Sequence, residues 1–311
     1  MPETILVVGD ANADVSAELL RFPEEGSDAP IRTLRWESGG VAANTATALA
    51  ALGTRARLLA CVGQDPAAVV ALAAAQAAGV DCIAVQYHPY LATGLCFAAI
   101  SPGGERTFFS SRGANTALQS APNMLDDIAW VHVGGHALLE NSQRQTVLDL
   151  LALAVSQGIP CSLDLCEPLL HSWPGLIETL HTYSVVFVSR REIDLVAAGD
   201  TPEASAQRLL AAGAGCAVIK LGERGCLAGD GTEVCREPGI AVETLDTTGC
   251  GDAFAAGWLT ATLANAPLTE RARLANAAGA LAATMAGATA AFGDAARVRA
   301  WVAGAGEPGH G

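Results

Sequence analysis

The segment 242–263, VETLDTTGCGDAFAAGWLTATL, constrains the fold of this chain more than any other segment. It has the pattern of a strand end, then a turn containing Gly249 and Gly251, then an apolar, alanine-rich run over 253–263 that predicts a buried helix. A glycine turn that opens a helix leaves backbone N–H groups free, and the helix dipole adds partial positive charge at the same place. The segment therefore predicts an anion-binding site with the carboxylate of Asp252 beside it.

An anion site with a fixed carboxylate suits the transfer of a phosphoryl group to a hydroxyl. The backbone N–H groups of Gly249, Cys250 and Gly251 would hold the phosphoryl charge, and Asp252 would accept the hydroxyl proton as general base. The alternative is that Asp252 is only a helix N-cap. A thiol at a helix N-terminus has a lowered pKa, so Cys250 is a candidate reactive cysteine; the alternative is an inert small residue in place of alanine.

Two strings of the sequence carry a family resemblance. DTTGCGDAFAAG resembles the C-terminal signature of the ribokinase-like (PfkB-type) carbohydrate kinases, usually D-T-x-G-A-G-D, with Cys250 at the alanine position. GGVAANTATALAALG, which begins at Gly39, resembles the N-terminal signature of the same family. The resemblance implies an ATP-dependent carbohydrate kinase with a three-layer α/β/α fold, in which a central, mainly parallel sheet carries a small β-sheet lid.

The hydrophobic pattern independently predicts an α/β fold, because strand-like and helix-like runs alternate along the chain. Strands are predicted at 5–8, 55–62, 82–86, 130–133, 161–165, 185–188 and 216–220, and helices at 45–52, 67–78, 142–157, 253–263 and 272–286. A hairpin is predicted from the β-prone runs 93–100 and 106–110. We expect a single kinase domain over 1–311, with lid strands from about 15–37 and 93–112 inserted in it.

The candidate sugar-binding residues follow strand ends or glycine turns. Asp14 could accept hydrogen bonds from vicinal hydroxyls, the alternative being a solvated turn residue. Asn44 could donate to and accept from hydroxyls, the alternative being a surface residue at a glycine-rich helix entry. The resemblance implies that Gly39 and Gly40 also contact the sugar. The remaining candidates on this side are Asn12, Arg112, which could hold a hydroxyl or an anionic group, and Glu140.

The candidate nucleotide-binding residues lie in the C-terminal half. Ser189 and Glu192 stand where the family usually has Asn-x-x-Glu, which implies that Glu192 acts on Mg²⁺ through water. Gly222 and Gly225 match a Leu-Gly-x-x-Gly turn beside the nucleotide phosphates. Lys220 could meet an ATP phosphate as a point charge, the alternative being a solvated lysine.

Two further residues complete the nucleotide side. Asn276 matches the adenine-side asparagine of the family, and Asp246 is a second candidate for Mg²⁺ through water. A monovalent cation such as K⁺ is left open, because backbone carbonyl ligands leave no sequence trace.

Composition limits the partners. The net charge of −14 disfavours nucleic acid and anionic membrane surfaces as partners. The nine cysteines include no C-x-x-C pair, which favours free thiols and a cytoplasmic location. The apolar stretch 272–292 is alanine-dominated and interrupted by Arg273 and Asn276, so a buried helix is favoured over a membrane span. The resemblance implies a homodimer through the lid.

A small ribose- or fructose-like sugar is the expected acceptor, and three alternatives stay open. A nucleoside kinase is the nearest, since Asn12, Asp14 and Asn44 could equally hold ribose hydroxyls, although aromatic residues are scarce near the lid. A 2-keto-3-deoxygluconate kinase is disfavoured because Glu167 occupies a position that is often basic. A non-catalytic sugar-binding protein is disfavoured by Asp252 and its glycine turn.

Overall fold

The computed structural model describes residues 3–120, 123–196 and 199–304, with Val196 described by its backbone alone. Its strands are β1 (Thr4–Val8), β2 (Asn12–Leu19), β3 (Ile31–Gly39), β4 (Arg55–Leu59), β5 (Cys61–Gly63), β6 (Gln86–His88), β7 (Gly94–Ile100), β8 (Arg106–Ser111), β9 (Ile128–Gly134), β10 (Cys161–Asp164), β11 (Val185–Ser189), β12 (Ala217–Lys220), β13 (Cys226–Gly229) and β14 (Val234–Glu237). Its α-helices are α1 (Val41–Ala51), α2 (Pro66–Ala77), α3 (Asn141–Ser156), α4 (Glu167–Ser172), α5 (Arg190–Val196), α6 (Pro202–Ala211), α7 (Cys250–Leu263), α8 (Leu268–Ala283) and α9 (Ala295–Gly304).

The central sheet contains eight strands in the order β14-β13-β12-β11-β10-β9-β1-β4. The six strands from β12 to β4 are parallel, and β13 and β14 extend one edge in antiparallel fashion. Alternate residues of β1 pack on opposite faces of this sheet. Ile5 and Val7 join a core with α1, α2, α7, α8 and α9, while Leu6 and Val8 join a core with α3, α4, α5 and α6. The predicted three-layer α/β/α fold is confirmed.

The helices on the α7 side are rich in alanine and glycine, which lets them approach one another closely. A Cβ added at Gly257 in α7 would lie 2.6 Å from the carbonyl oxygen of Leu274 in α8, so this contact requires glycine. The small side chains thereby bring α7 close to α8 and place its N-terminus at the C-terminal edge of the parallel strands, where open α/β sheets bind ligands.

A second sheet of four strands, which we call the small sheet, has the order β3-β2-β7-β8. The predicted hairpin is present as β7 and β8. One face of the small sheet carries polar residues, with Asp14 opposite Glu37. The other face carries the apolar side chains of Leu34, Trp36 and Phe109, each about half exposed.

Several boundaries differ from the sequence-based expectation, and helix α8 spans Leu268–Ala283 instead of the predicted 272–286. The predicted strand 82–86 is wrong for its first four residues, because the Asp81 carboxylate accepts from the N–H of Ile83 and starts a turn, and β6 begins only at Gln86. The predicted strand 55–62 is divided at Ala60 into β4 and β5. Helix α1 begins at Val41 instead of Thr45, directly after Gly40. Among the described residues, no helix is long and apolar enough to cross a membrane.

Candidate active site at the start of helix α7

The turn before α7 has the geometry of an anion site. Gly249 is left-handed, with φ of 76°, and a Cβ there would lie 2.7 Å from the carbonyl oxygen of Ala288, so only glycine fits. The N–H of Cys250 bonds to the carbonyl oxygen of Thr247 at 3.3 Å and so serves the turn itself. Among the described residues no side chain caps α7, which leaves the first-turn N–H groups of Gly251 and Asp252 for an outside acceptor.

Asp252 lies at the third position of α7 and does not act as its N-cap. The Nδ2 of Asn44, in α1, donates to Asp252 Oδ2 at 2.8 Å, which joins residues 208 positions apart. Burial raises the pKa of Asp252 from its ordinary value of 3.8 to about 7, against the opposing effect of the Asn44 hydrogen bond. A carboxyl group with a pKa near 7 suits proton transfer at neutral pH.

Asp14 and Glu37 line a cleft between the small sheet and the turn, and the negative charge of Asp14 acts on Asp252. The pKa of Asp14 is raised from 3.8 to about 7 by burial and then by the negative charge of Glu37. Among the described residues, the buried atoms Asp14 Oδ1 and Asn44 Oδ1 have no hydrogen-bond partner. The cleft between the small sheet and the turn has a volume of about 70 Å³, and its lining includes Asp14, Glu37, Phe108 and Gly287. Two acidic side chains and two unpaired acceptor oxygens are therefore available to a ligand that donates hydrogen bonds.

The two glycines before α1 lie directly against the Asp14 carboxylate and the backbone of Asp10. A Cβ at Gly39 would lie 2.1 Å from Asp14 Oδ2, and a Cβ at Gly40 would lie 2.4 Å from the carbonyl oxygen of Asp10. Both positions therefore exclude a side chain for a reason that the sequence pattern alone did not give.

Arg112 is the centre of a buried polar network beside the cleft. Its Nη2 donates to Asp10 Oδ1 and to Gln143 Oε1, both at 2.8 Å, and its Nη1 donates to the carbonyl oxygen of His136 at 2.6 Å. Burial lowers the pKa of His136, so the imidazole is neutral. Arg112 is thus not the solvated arginine that sequence reasoning allowed.

Asn12 is held by Asn115, a residue that sequence reasoning missed. Asn115 Nδ2 donates to Asn12 Oδ1 at 2.7 Å, and Asn115 Oδ1 accepts from the N–H of Ala11 at 3.0 Å. Glu140 is exposed at the start of α3, where its carbonyl oxygen accepts from the N–H of Arg144. The described hydrogen bonds do not join Glu140 to the cleft.

Asp246 links the anion turn to the small sheet. Its Oδ1 accepts from Arg106 Nη1 at 2.7 Å and from the N–H and hydroxyl of Thr248, and its Oδ2 accepts from the N–H of Gly287 at 3.1 Å. Burial acts to raise the pKa of Asp246, but these bonds hold it well below its usual range. The carboxylate is therefore ionised and already provided with donors, and its water-mediated contact to Mg²⁺ stays a prediction.

Ser189 and Glu192 form a capping box at the start of α5. Glu192 Oε2 accepts from the N–H of Ser189 at 2.6 Å, and the N–H of Glu192 donates to Ser189 Oγ at 3.3 Å. The negative charge of Glu192 raises the pKa of Lys220 and of Asp164, which places this carboxylate near the ends of β10 and β12.

Lys220, at the end of β12, forms a buried ion pair with Asp164, at the end of β10. The distances from Lys220 Nζ are 2.6 Å to Asp164 Oδ1 and 2.9 Å to Oδ2, and the two side chains are 15% and 5% exposed. Lys220 is therefore not the solvated lysine that remained the alternative. The negative charge of Asp164 raises the pKa of Asp252, and the positive charge of Lys220 lowers it, so the pair lies close to the candidate base.

The other nucleotide-side candidates lie around the turn after β12. Gly225, with φ of 85°, would place a Cβ 2.1 Å from the carbonyl oxygen of Glu237, whereas Gly222 is exposed and meets no neighbour within 4 Å. Asn276 Nδ2 donates to the carbonyl oxygens of Glu237 and Pro238, at 3.3 and 2.9 Å, and so ties α8 to the segment after β14.

The structure favours the alternative for Cys250, an inert small residue in place of alanine. Burial raises the pKa of the Cys250 thiol to about 11, with further contributions from the charges of Asp246 and Asp252. Desolvation and two nearby carboxylates outweigh the helix dipole, so the thiol stays protonated at neutral pH.

A parallel α/β sheet with an anion turn and a buried acid beneath a small sheet is the arrangement of a phosphotransferase that acts on a hydroxyl. The family described as pfkB family carbohydrate kinase matches residues 2–294. The chain belongs to this family of ATP-dependent carbohydrate kinases, which confirms the resemblance drawn from the two signatures.

Individual relatives agree with this assignment. The chain is 30% identical over 290 residues to an ATP-dependent ribose-1-phosphate kinase of Halopiger xanaduensis. The matched region covers 92% of this chain and 94% of that protein. A ribokinase of Arabidopsis thaliana, solved with ribose and ATP, has a TM-score of 0.83 at 22% identity, with coverage of 97% and 99%. A fructokinase of Vibrio cholerae, solved with fructose, ADP and a calcium ion, has a TM-score of 0.78 at 25% identity, with coverage of 97% and 99%.

Proposed function

We propose that this enzyme transfers the γ-phosphoryl group of ATP to a hydroxyl of a small, ribose- or fructose-like sugar, with Asp252 as general base and the whole chain acting as one catalytic unit. The observation that carries the proposal is the position of Asp252. Its carboxyl group is buried in the first turn of α7, accepts a hydrogen bond from Asn44 and has a pKa of about 7. It lies beside first-turn N–H groups that lack an intrahelical acceptor.

In this reaction the acceptor oxygen forms a bond to the γ-phosphorus as its proton passes to Asp252. The bond from the γ-phosphorus to the bridging oxygen breaks, and its electron pair stays on ADP. The N–H groups of Gly251 and Asp252 hold the charge of the transferring group, in the way that preorganised donors stabilise transition states.

The sugar is oriented by acceptors that lack a partner in the protein. The Oδ1 atoms of Asp14 and Asn44 fit hydroxyl donors, because a buried acceptor without a partner costs free energy that a ligand restores. Gly39 and Gly40 keep this space open, while Arg112 and Asn12 belong to the network that forms its wall.

ATP lies along the ends of β11 and β12 in this proposal, near Ser189, Lys220, Gly222, Gly225 and Asn276. Within the described residues, no group of three or more His, Cys, Asp or Glu side chains could enclose a metal ion. That fits Mg²⁺, which commonly binds through one or two carboxylates together with nucleotide phosphates and water. Glu192 would hold it, and the ion would offset the phosphate charge when bound.

Two further kinds of acceptor are supported by specific observations. The Halopiger relative is named for ribose 1-phosphate, so this sugar phosphate belongs among the acceptors to be tested. A nucleoside is a second candidate, because Phe108 lines the cleft, is 57% exposed and could stack on a base. This ring is an aromatic residue at the lid that the sequence-based argument against nucleosides did not weigh.

The small sheet acts as a lid over the cleft in this proposal, and its outer face forms a homodimer. Ile31, Leu34, Trp36 and Phe109 present side chains that are 48–55% exposed on that face. Contiguous exposed apolar surface of this kind marks interaction sites, and a two-fold axis pairs a patch with itself.

We also propose that the enzyme works in a reducing compartment such as the cytoplasm, because all nine cysteines are free thiols.

The test is ATP consumption measured with a panel of acceptors: ribose, fructose, ribose 1-phosphate, adenosine and 2-keto-3-deoxygluconate. Acceptor-dependent ADP formation is expected with at least one sugar, and Asp252→Asn should lower kcat for that sugar by several orders of magnitude with little change in sugar affinity. A wild-type protein inactive with every acceptor, or an Asp252→Asn variant with most of its activity, would contradict the proposal.

A further inference from the structure

Lys220 is the only lysine of the 311-residue sequence. All the others among its 18 Lys and Arg residues are arginines. Every other Lys or Arg position carries arginine, both in exposed ion pairs such as Arg55–Glu3 and Arg236–Glu203 and in the buried network of Arg112. The exception lies at the candidate active site. A compact ammonium and a planar guanidinium differ in shape and in the geometry of their donors, so the two are not interchangeable at such a site.

The ion pair with Asp164 fixes the orientation of this ammonium. Lys220 Nζ contacts both carboxylate oxygens of Asp164, at 2.6 and 2.9 Å. An ammonium has three N–H donors, so two are engaged and one remains for another acceptor. Burial acts to lower the pKa of Lys220, but the charges of Asp164 and Glu192 raise it, so the group keeps its positive charge.

The remaining donor lies next to the anion turn. A Cβ built on Gly251 would be 3.2 Å from Lys220 Nζ, which puts the ammonium against the first turn of α7. The negative charge of Asp252 also acts on Lys220. An anion held by the N–H groups of Gly251 and Asp252 would therefore meet the ammonium on its open side.

We propose, on the basis of the function above, that Lys220 donates a hydrogen bond to the transferring phosphoryl group and that Asp164 is the residue that positions it. Lys220 keeps its proton throughout. The proton of the acceptor hydroxyl goes to Asp252, the new bond joins the acceptor oxygen to phosphorus, and the electron pair of the broken bond remains on ADP. The ammonium contributes by neutralising charge on the phosphoryl oxygens.

The first experiment compares kcat and sugar KM for Lys220→Met, Lys220→Arg and Asp164→Asn, with Arg236→Met as a control that removes one exposed cation. Lys220→Met should lower kcat about a hundredfold to a thousandfold, the usual effect of removing one donor to a developing charge, with sugar KM little changed. Lys220→Arg should not restore the rate, because the guanidinium does not fit against Gly251. Asp164→Asn should lower kcat about tenfold to a hundredfold. The Lys220 ammonium would then be held less accurately, and a small displacement of a catalytic group lowers the rate by about that factor.

The second experiment uses the wild-type protein and needs no variant that folds poorly. An acyl phosphate of ATP acylates amines that lie beside the terminal phosphates, and the sole lysine makes the product simple to read by peptide mass spectrometry. Acylation of Lys220 that excess ATP prevents is expected. Labelling that spares Lys220, or Lys220→Met turnover equal to that of Arg236→Met, would overturn the assignment of Lys220. Wild-type protein without acceptor-dependent turnover would instead overturn the proposed function.

Discussion

Replacing Asp252 with asparagine should stabilise the folded protein as it removes activity. Burial raises the pKa of this carboxyl from 3.8 to about 7, which means that the folded state disfavours its charge. Asparagine has nearly the same shape, carries no charge at any pH and can still accept through Oδ1 from Asn44 Nδ2. The substitution therefore removes the cost of the buried charge and keeps the hydrogen bond.

The magnitude follows from proton linkage. A raised carboxyl pKa means that the folded state binds the proton more tightly than the unfolded state, so its contribution to stability is fully present below about pH 4 and is lost as pH rises to about 7. A difference of about three pKa units corresponds to about 4 kcal/mol at pH 8, where the wild-type carboxylate is charged in both states. At pH 5 the difference is about 1.6 kcal/mol, because only the unfolded carboxyl is then ionised.

The assay is urea unfolding of both proteins at pH 5 and pH 8. The free energy of unfolding of Asp252→Asn should exceed that of the wild type at both values, and the excess should grow by about 2–3 kcal/mol between them. Asp149→Asn, a substitution on the exposed side of α3, is the control and should show no such growth. An excess for Asp252→Asn that stays constant with pH would refute the argument that this acid is held at an energetic cost.

Three other outcomes are expected. The value of kcat/KM should rise with pH through about 7 and then level off, because Asp252 must be ionised to accept the proton; a flat profile between pH 5 and 8 would contradict Asp252 as the base. Arg106→Met removes the 2.7 Å contact to Asp246, so the small sheet loses its ion pair to the anion turn. In steady-state kinetics this variant should raise sugar KM about tenfold, with a smaller effect on kcat. Trp36→Glu, on the outer face of the small sheet, should convert the proposed dimer to a monomer in light scattering. Tyr90→Glu, at an exposed site outside that sheet, should leave the oligomeric state unchanged.

The sequence allowed the family, the layered fold and the turn before α7 to be predicted, because each depends on a local pattern. The two signatures placed Asn44 and Asp252 as candidates, although neither signature indicates that the two side chains bond to each other. The alternation of apolar runs predicted the parallel sheet, since a strand buried on both faces has a recognisable composition.

The remaining parts of the site depend on partners that are distant in the chain. Lys220 and Asp164 are 56 residues apart, and Arg106 and Asp246 are 140 apart, so no spacing rule connects them. Cys250 stayed open between a reactive and an inert thiol, because the helix dipole is visible in the sequence and burial is not. The capping box of Ser189 and Glu192 was within reach of sequence reasoning, since it is a local S-x-x-E pattern.

The hydrogen bond between Asn44 and Asp252 makes the site depend on two segments that are synthesised at very different times. A polypeptide released before Asp252 is synthesised already contains β1, α1 and the small sheet, yet it lacks the residue proposed as the proton acceptor. Turnover should therefore require that the segments carrying Asn44 and Asp252 have both been made and have come together. Two separately expressed fragments that meet in solution should regain activity together, and each alone should have none.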